Sequence, residues 1–284
     1  MSEDLATKSA LVVAHGLFSE LAVKLAQSFG KVYLFLPWAD AYPTINKGLL
    51  GYGLEGVNKV DEVWGPHFAS IDLFVFPDLY NPELQLYLEG LGKRVWGGRR
   101  GEQLELYREV CKEAMAKVGL PVHPWKLIRG MTALRSHLQA HQNQHVKLDK
   151  FRGMFETFKA ESYALVEPKL AEIEHLLGPF AEVLEFVVEE DLPDCVEIGL
   201  DCYTVDGMFP SRTLAGIEVK DLGYIGILRE WQQIPEPLRA WFEKMAPYLE
   251  RYGYRGFISN ELRVTKDKVA YMIDCCARAA SPPN

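Results

Sequence analysis

Glu261 and Asp274 are the residues of this chain whose types and spacing point most directly to chemistry. They flank a short polar stretch, Thr265-Lys266-Asp267-Lys268, that reads as the tight turn of a hairpin. Glu261 stands four residues before Thr265 and Asp274 six after Lys268, so the two carboxylates are expected near each other on paired strands. Phe257, Ile258, Tyr271, Met272 and Ile273 surround them, which implies a half-buried face. Two like charges on such a face are costly without a cation. With Arg278 just beyond, the pair suits magnesium, or manganese in its place, carrying phosphate groups.

The elements that would position this pair fall into two styles. Residues 9–15, 31–37, 71–77 and 94–96 are short apolar strands, with helices expected over 17–29 and 83–91. Alternating strands and helices imply an open α/β domain with a parallel sheet. Gly16 follows the first strand, but the three-glycine dinucleotide fingerprint is absent. One long helix is expected over 102–118, closed by Gly119 and Pro121. Beyond it come a helix over 132–142, a strand at 145–148, a helix over 168–177 with Pro168 in its first turn, and strands at 183–188, 195–205 and 209–219. A helix over 235–252 precedes the closing hairpin. Hairpins replace crossovers in this half, which makes it an antiparallel α+β unit.

With 284 residues, the chain has room for two or three subdomains. A net charge of −8 and a pI near 5.5 argue against a general nucleic-acid binder. No apolar run approaches a membrane span, and the acidic N-terminus lacks a secretory core, so a cytoplasmic protein is expected. Five cysteines in no zinc-binding spacing read as reduced thiols.

From residue 95 onward the order of pieces resembles the ATP-grasp superfamily, in particular the glycinamide ribonucleotide synthetases and related carboxylate–amine ligases. The resemblance rests on Val95-Trp96-Gly97-Gly98, Leu104-Glu105, Val118-Gly119-Leu120-Pro121, His145-Val146-Lys147-Leu148-Asp149, the 185–192 segment and Met272 to Arg278. It implies a Rossmann-like pre-ATP-grasp domain (residues 1–121), a small subdomain (122–184) and a large subdomain (185–284). It also implies an ATP-dependent ligase that forms an acyl phosphate and releases ADP and phosphate, with a small carboxylate and an amine as substrates. A homodimer is among the assemblies it implies.

Carried onto this sequence, the resemblance gives Arg108 and Lys147 to the nucleotide phosphates, and Lys150, Arg152 and Gly153 to the loop over the transferring phosphoryl group. The backbone of Glu189, Glu190 and Leu192 would read adenine, Glu197 the ribose, and Glu261 and Asp274 the metal. Arg278 would orient the acyl phosphate or γ-phosphate, and Arg212 and Arg229 are candidates for the carboxylate substrate. Substrate choice is expected from the first domain, near Gly16 and residues 40–42. Three departures stand out. Arg108 replaces the family's usual lysine, with Lys112 nearby; the phosphate loop keeps a single glycine; and Cys276 occupies the place of an asparagine ligand. Those departures suit a second reading, a nucleotide-binding protein without ligase turnover. A third reading places a nicotinamide or methyl-donor enzyme on the first domain.

Overall fold

The computed structural model describes residues 4–15, 18–36, 50–149, 157–219 and 223–280. Sheet A is built from β1 (Ser9–Val13), β2 (Lys31–Phe35), β3 (Val57–Val60), β4 (Leu73–Val75) and β5 (Arg94–Trp96), in the order β3-β2-β1-β4-β5. All its pairings are parallel. β1 is buried along its whole length, as a central strand covered on both faces must be. Helices α1 (Ser19–Ala26) and α2 (Pro82–Gly90) belong to this domain. The chain runs outward from β1 through β2 to β3, then returns to lay β4 on β1's other side. That reversal leaves a crevice at the carboxyl ends of β1 and β4.

Residues 102–118 form two helices rather than the single expected one, α3 (Gln103–Leu106) and α4 (Arg108–Lys117). Tyr107 between them is extended, with φ −120° and ψ 88°. The cause is tertiary. The Arg108 N–H donates to the Asp149 carboxylate at 2.7 Å instead of continuing the helical ladder, so an acid from a distant strand end caps α4.

Sheet C contains β6 (Trp125–Arg129), β7 (Gln144–Leu148), β8 (Thr157–Ala160) and β9 (Glu185–Glu190), ordered β6-β9-β7-β8 and wholly antiparallel. Helices α5 (Met131–Ala140) and α6 (Tyr163–Leu177) cover it through a core that includes Leu134, Leu138, Val166, Leu170 and Phe186. α6 begins five residues before Pro168, so that proline lies inside the helix and not in its first turn. Burial of Val166, Leu170 and Ile173 outweighs the missing hydrogen bond.

Sheet B contains β10 (Val196–Val205), β11 (Arg212–Val219), β12 (Gly223–Glu230), β13 (Arg255–Val264) and β14 (Ala270–Cys276), ordered β12-β11-β10-β13-β14. Helix α7 (Glu236–Arg251) packs on one face, burying Trp241, Phe242, Met245 and Leu249 against Leu200, Ile258, Leu262 and Met272. The other face is left for the site. A backbone bridge from Gly97 to Arg255 joins sheet A's end to β13.

Candidate functional site

On the β13–β14 hairpin, Val264, Arg263 and Leu262 pair with Ala270, Tyr271 and Met272. An unbroken ladder would set Ile273 opposite Glu261 and turn Asp274 to the other face. Instead a bulge skips Ile273, and Glu261 pairs with Asp274. Both acids therefore share the face away from α7, while Met272 and Cys275 remain in the core. Asp274 Oδ1 accepts the Cys275 N–H at 3.1 Å, and its Oδ2 lies 3.6 Å from Arg108 Nη2. Cys276 follows on the same face by register. Burial, with Glu105 and Asp274 nearby, pushes its thiol well above the usual range. All five cysteines are free. Among the described residues no group of three or more His, Cys, Asp or Glu side chains is arranged to hold a metal alone. Two facing carboxylates do fit magnesium, which takes one or two protein oxygens and completes its shell with water and phosphate.

Facing the acids is a buried set of cations. Lys147 is 6% exposed and Glu189 4%. Lys147 Nζ donates to the Ile273 carbonyl and lies 3.2 Å from Glu189 Oε2. Lys112 Nζ is bonded to Glu189 Oε1. Burial alone would favour the neutral acid, but Lys147 and Lys112 hold Glu189 down to about 2. Arg108 Nη1 donates to the Leu148 carbonyl at 2.5 Å. These contacts run from α4 and sheet C to β14, so they span the cleft between sheets C and B. Lys150, Arg152 and Gly153 lie outside the described residues, as do Gly16 and residues 40–42.

At the end of β9 the Glu190 carbonyl is 2.9 Å from His123 Nε2, and the Asp191 N–H donates to the Asn143 carbonyl at 2.8 Å. Leu192 follows, half-buried. Burial opposes the charge on Asp191, yet hydrogen bonds from Lys159 and His145 hold its pKa at about 2. Glu197 accepts from Arg263 Nε at 3.2 Å across the β10–β13 pair.

Arg278 is aimed by Glu105 of α3, which is buried. Nε donates to Glu105 Oε1 at 2.9 Å, while the other carboxylate oxygen takes the Ala277 N–H at 2.6 Å. The next residue, Ala279, donates to the Pro77 carbonyl at 2.8 Å. This sets the arginine beside the crevice of sheet A, where His15 Nδ1 meets Asp78 Oδ2 at 3.0 Å. Burial raises the cost of charge on Asp78, but His15, the Leu79 N–H and Arg278 lower its pKa overall.

The same face of sheet B carries a cross-strand row, Gly226–Gly216–Gly199–Glu261–Asp274. The three glycines form a trough in which the Tyr224 ring lies. A Cβ on Gly216 would come within 2.1 Å of that ring. The Tyr224 hydroxyl donates to Asp201 Oδ2 at 3.1 Å. Beyond the trough, between sheet B and α1, is a cavity of about 560 Å³ with Arg278 in its wall.

No family model matches the chain, and no curated protein matches it in sequence. Its fold does match solved structures. Phosphoribosylamine–glycine ligase from Thermotoga maritima superposes with a TM-score of 0.69 at 16% identity, over 97% of this chain and 70% of that one. L-amino acid ligase from Bacillus licheniformis gives 0.64 at 13%, over 97% and 68%. The biotin carboxylase domain of Hydrogenobacter thermophilus 2-oxoglutarate carboxylase, a dimer in complex with MgADP, ADP and bicarbonate, gives 0.67 at 10%, over 96% and 64%. The chain has the ATP-grasp fold.

Within this ATP-grasp fold the residues named from sequence divide clearly. Arg108, Lys147, Glu189 and Asp274 converge on one cleft, and Glu261 stands opposite Asp274 on its wall. Glu197 sits further along that wall, paired with Arg263. Arg278 lies at the cavity end, and Arg212 lines the same cavity. Arg229 is exposed, opposite Thr213 on edge strand β12. Sequence reasoning did not assign roles to Glu105, Asp149, His15 or Asp78. Lys112 carried a weak signal, one helical turn after Arg108, and Glu105 and Asp149 lay within stretches that carry the resemblance.

Proposed function

We propose that this chain is an ATP-dependent carboxylate–amine ligase. The observation that carries the reading is the pairing of Glu261 with Asp274 on a cleft face, opposite Arg108, Lys112 and Lys147. In this reading residues 1–121, 122–184 and 185–284 serve as pre-ATP-grasp domain, small subdomain and large subdomain. β9 hydrogen-bonds into the sheet of the small one.

Each residue's role follows from its chemistry. Arg108 and Lys147 meet the nucleotide phosphates with fixed positive charge. Glu261 and Asp274 hold magnesium, which when bound draws charge from the phosphates. Lys150 and Arg152, with Gly153 allowing close approach, cover the phosphoryl group in transfer. The backbone from Glu189 to Leu192 addresses adenine while the Glu189 carboxylate balances the lysines, and Glu197 addresses the ribose. Arg278, fixed by Glu105, orients the carboxylate and then its acyl phosphate.

A carboxylate oxygen attacks the γ-phosphorus and the bond to ADP breaks. The amine nitrogen then attacks the acyl carbon, phosphate leaves with the bonding pair, and the nitrogen loses a proton. The test couples calorimetry of magnesium-ATP binding to ADP release on a panel of carboxylates and amines. Asp274→Asn should cut ADP release by about 10²-fold or more while leaving the circular dichroism spectrum unchanged. Full activity in that variant, or no binding of magnesium-ATP by the wild type, refutes the assignment.

A further inference from the structure

We propose that the carboxylate substrate is an apolar one, an arylalkyl or branched alkyl acid, bound between α1 and the face of sheet B. The proposal deepens the ligase reading and rests on it for turnover, though not for binding. The cavity of about 560 Å³ is of ordinary size for a small-molecule site. Its position follows from register. Leu228, Leu214, Asp201 and Ser259 form the cross-strand row next to the one that holds Glu261 and Asp274. Tyr203 and Phe257 follow in the row after that. The cavity therefore begins where the two acids end, on the same face, and Arg278, two residues beyond Cys276 in that first row, lies in its wall.

The wall chemistry decides the substrate class. Phe18 and Leu21 of the first domain face Leu214, Leu228 and Phe257 across the space. Against these five side chains a polar substrate body would lose water without recovering hydrogen bonds, whereas an apolar body gains from burial; the polar lining on the α1 side is Glu20, Lys24 and Gln27. The cationic side chains also argue against a phosphorylated substrate. Arg278 is bound to Glu105 and Arg212 to Glu230; Lys24 of α1 is a third cation of the wall, and Asp201 and Glu20 add negative charge to it. The Tyr224 hydroxyl fixes Asp201 from the glycine trough. One carboxylate can share Arg278 with Glu105, because a guanidinium has five donors. A phosphate dianion would find no comparable cradle.

Hydroxylamine serves as a general nucleophile, trapping an acyl phosphate as a hydroxamate whatever the natural amine. With magnesium-ATP and hydroxylamine, phenylbutyrate should give kcat/KM at least about tenfold above glycolate, and ribose phosphate should neither react nor compete. Leu228 is 63% exposed, so Leu228→Asp should fold. It should raise KM for phenylbutyrate at least about tenfold and leave the Kd for magnesium-ATP unchanged. Preference for glycolate, competition by ribose phosphate, or an unmoved KM in Leu228→Asp overturns the proposal. If the wild type binds no magnesium-ATP, the ligase reading fails separately. Calorimetry with phenylbutyrate alone then decides. Binding that Leu228→Asp weakens tenfold upholds the apolar site, and no binding ends it.

Discussion

At the scale of single residues, Glu189 is a buried carboxylate held in its charged form by two lysines. Two lysines share its carboxylate in a space almost closed to water. Removing one partner of such a group leaves uncompensated buried charge, at about 3–5 kcal/mol. Glu189→Gln should lower unfolding stability by about 3 kcal/mol at neutral pH, measured by urea melts. The pH dependence has a definite sign. The folded pKa, about 2, lies below the ordinary 4.5, so the stabilisation is complete above about 4.5 and is lost as pH falls toward 2. Wild type and Glu189→Gln should therefore converge in stability across that window. The nearness of Glu261 and Asp274 was legible from the sequence because hairpin geometry is local, but their shared face was not, since it depends on the bulge that skips Ile273. The resemblance gave Glu189 to adenine through its backbone, and nothing in the sequence marked its carboxylate as the anion of the lysine pair. Lys112, Lys147 and Glu189 are separated by up to 77 positions, and only the tertiary fold brings them together.

Among the elements, the glycine trough of sheet B makes the sharpest demand on sequence. Gly216→Ala would drive a methyl group into the Tyr224 ring and release Asp201 from its hydroxyl. We expect a loss of about 1–3 kcal/mol, the usual cost of overpacking. In a Tyr224→Ala background the same change should cost little, and a double-mutant cycle measures the difference. The four strands that sequence reading did not foresee, β3, β6, β8 and β12, are all sheet edges. β12 is exposed along most of its length and β6 is only partly buried. Such strands lack the apolar runs that mark central strands. The break at Tyr107 was hidden for another reason. Its cause is Asp149, 41 positions from Arg108.

At the level of the whole molecule, the cleft is bridged by contacts between α4, β7, β9 and β14, and the cavity by α1 and sheet B. Ligands that enter these spaces bind only the folded chain. Magnesium-ATP at about one hundred times its Kd should add about 2.7 kcal/mol to stability, seen as a rise of several degrees in Tm. ATP with EDTA should give a smaller rise. Asp274→Asn should show little difference between the two conditions. Among the described residues no helix is long and apolar enough to cross a membrane.

The bulge at Ile273 carries one more consequence. The group that Lys147 grips is a main-chain oxygen, and every amino acid supplies one. The tie between the two sheets is thus written in the length of β14 and not in its residue identities. Ile273→Ala should keep the tie, with magnesium-ATP affinity within about twofold of wild type. Deleting residue 273 would still leave Asp274 across from Glu261 in an unbroken ladder, yet would remove the oxygen that Lys147 holds. A lineage could therefore change every side chain at this position and keep the connection, and lose it by dropping a single codon.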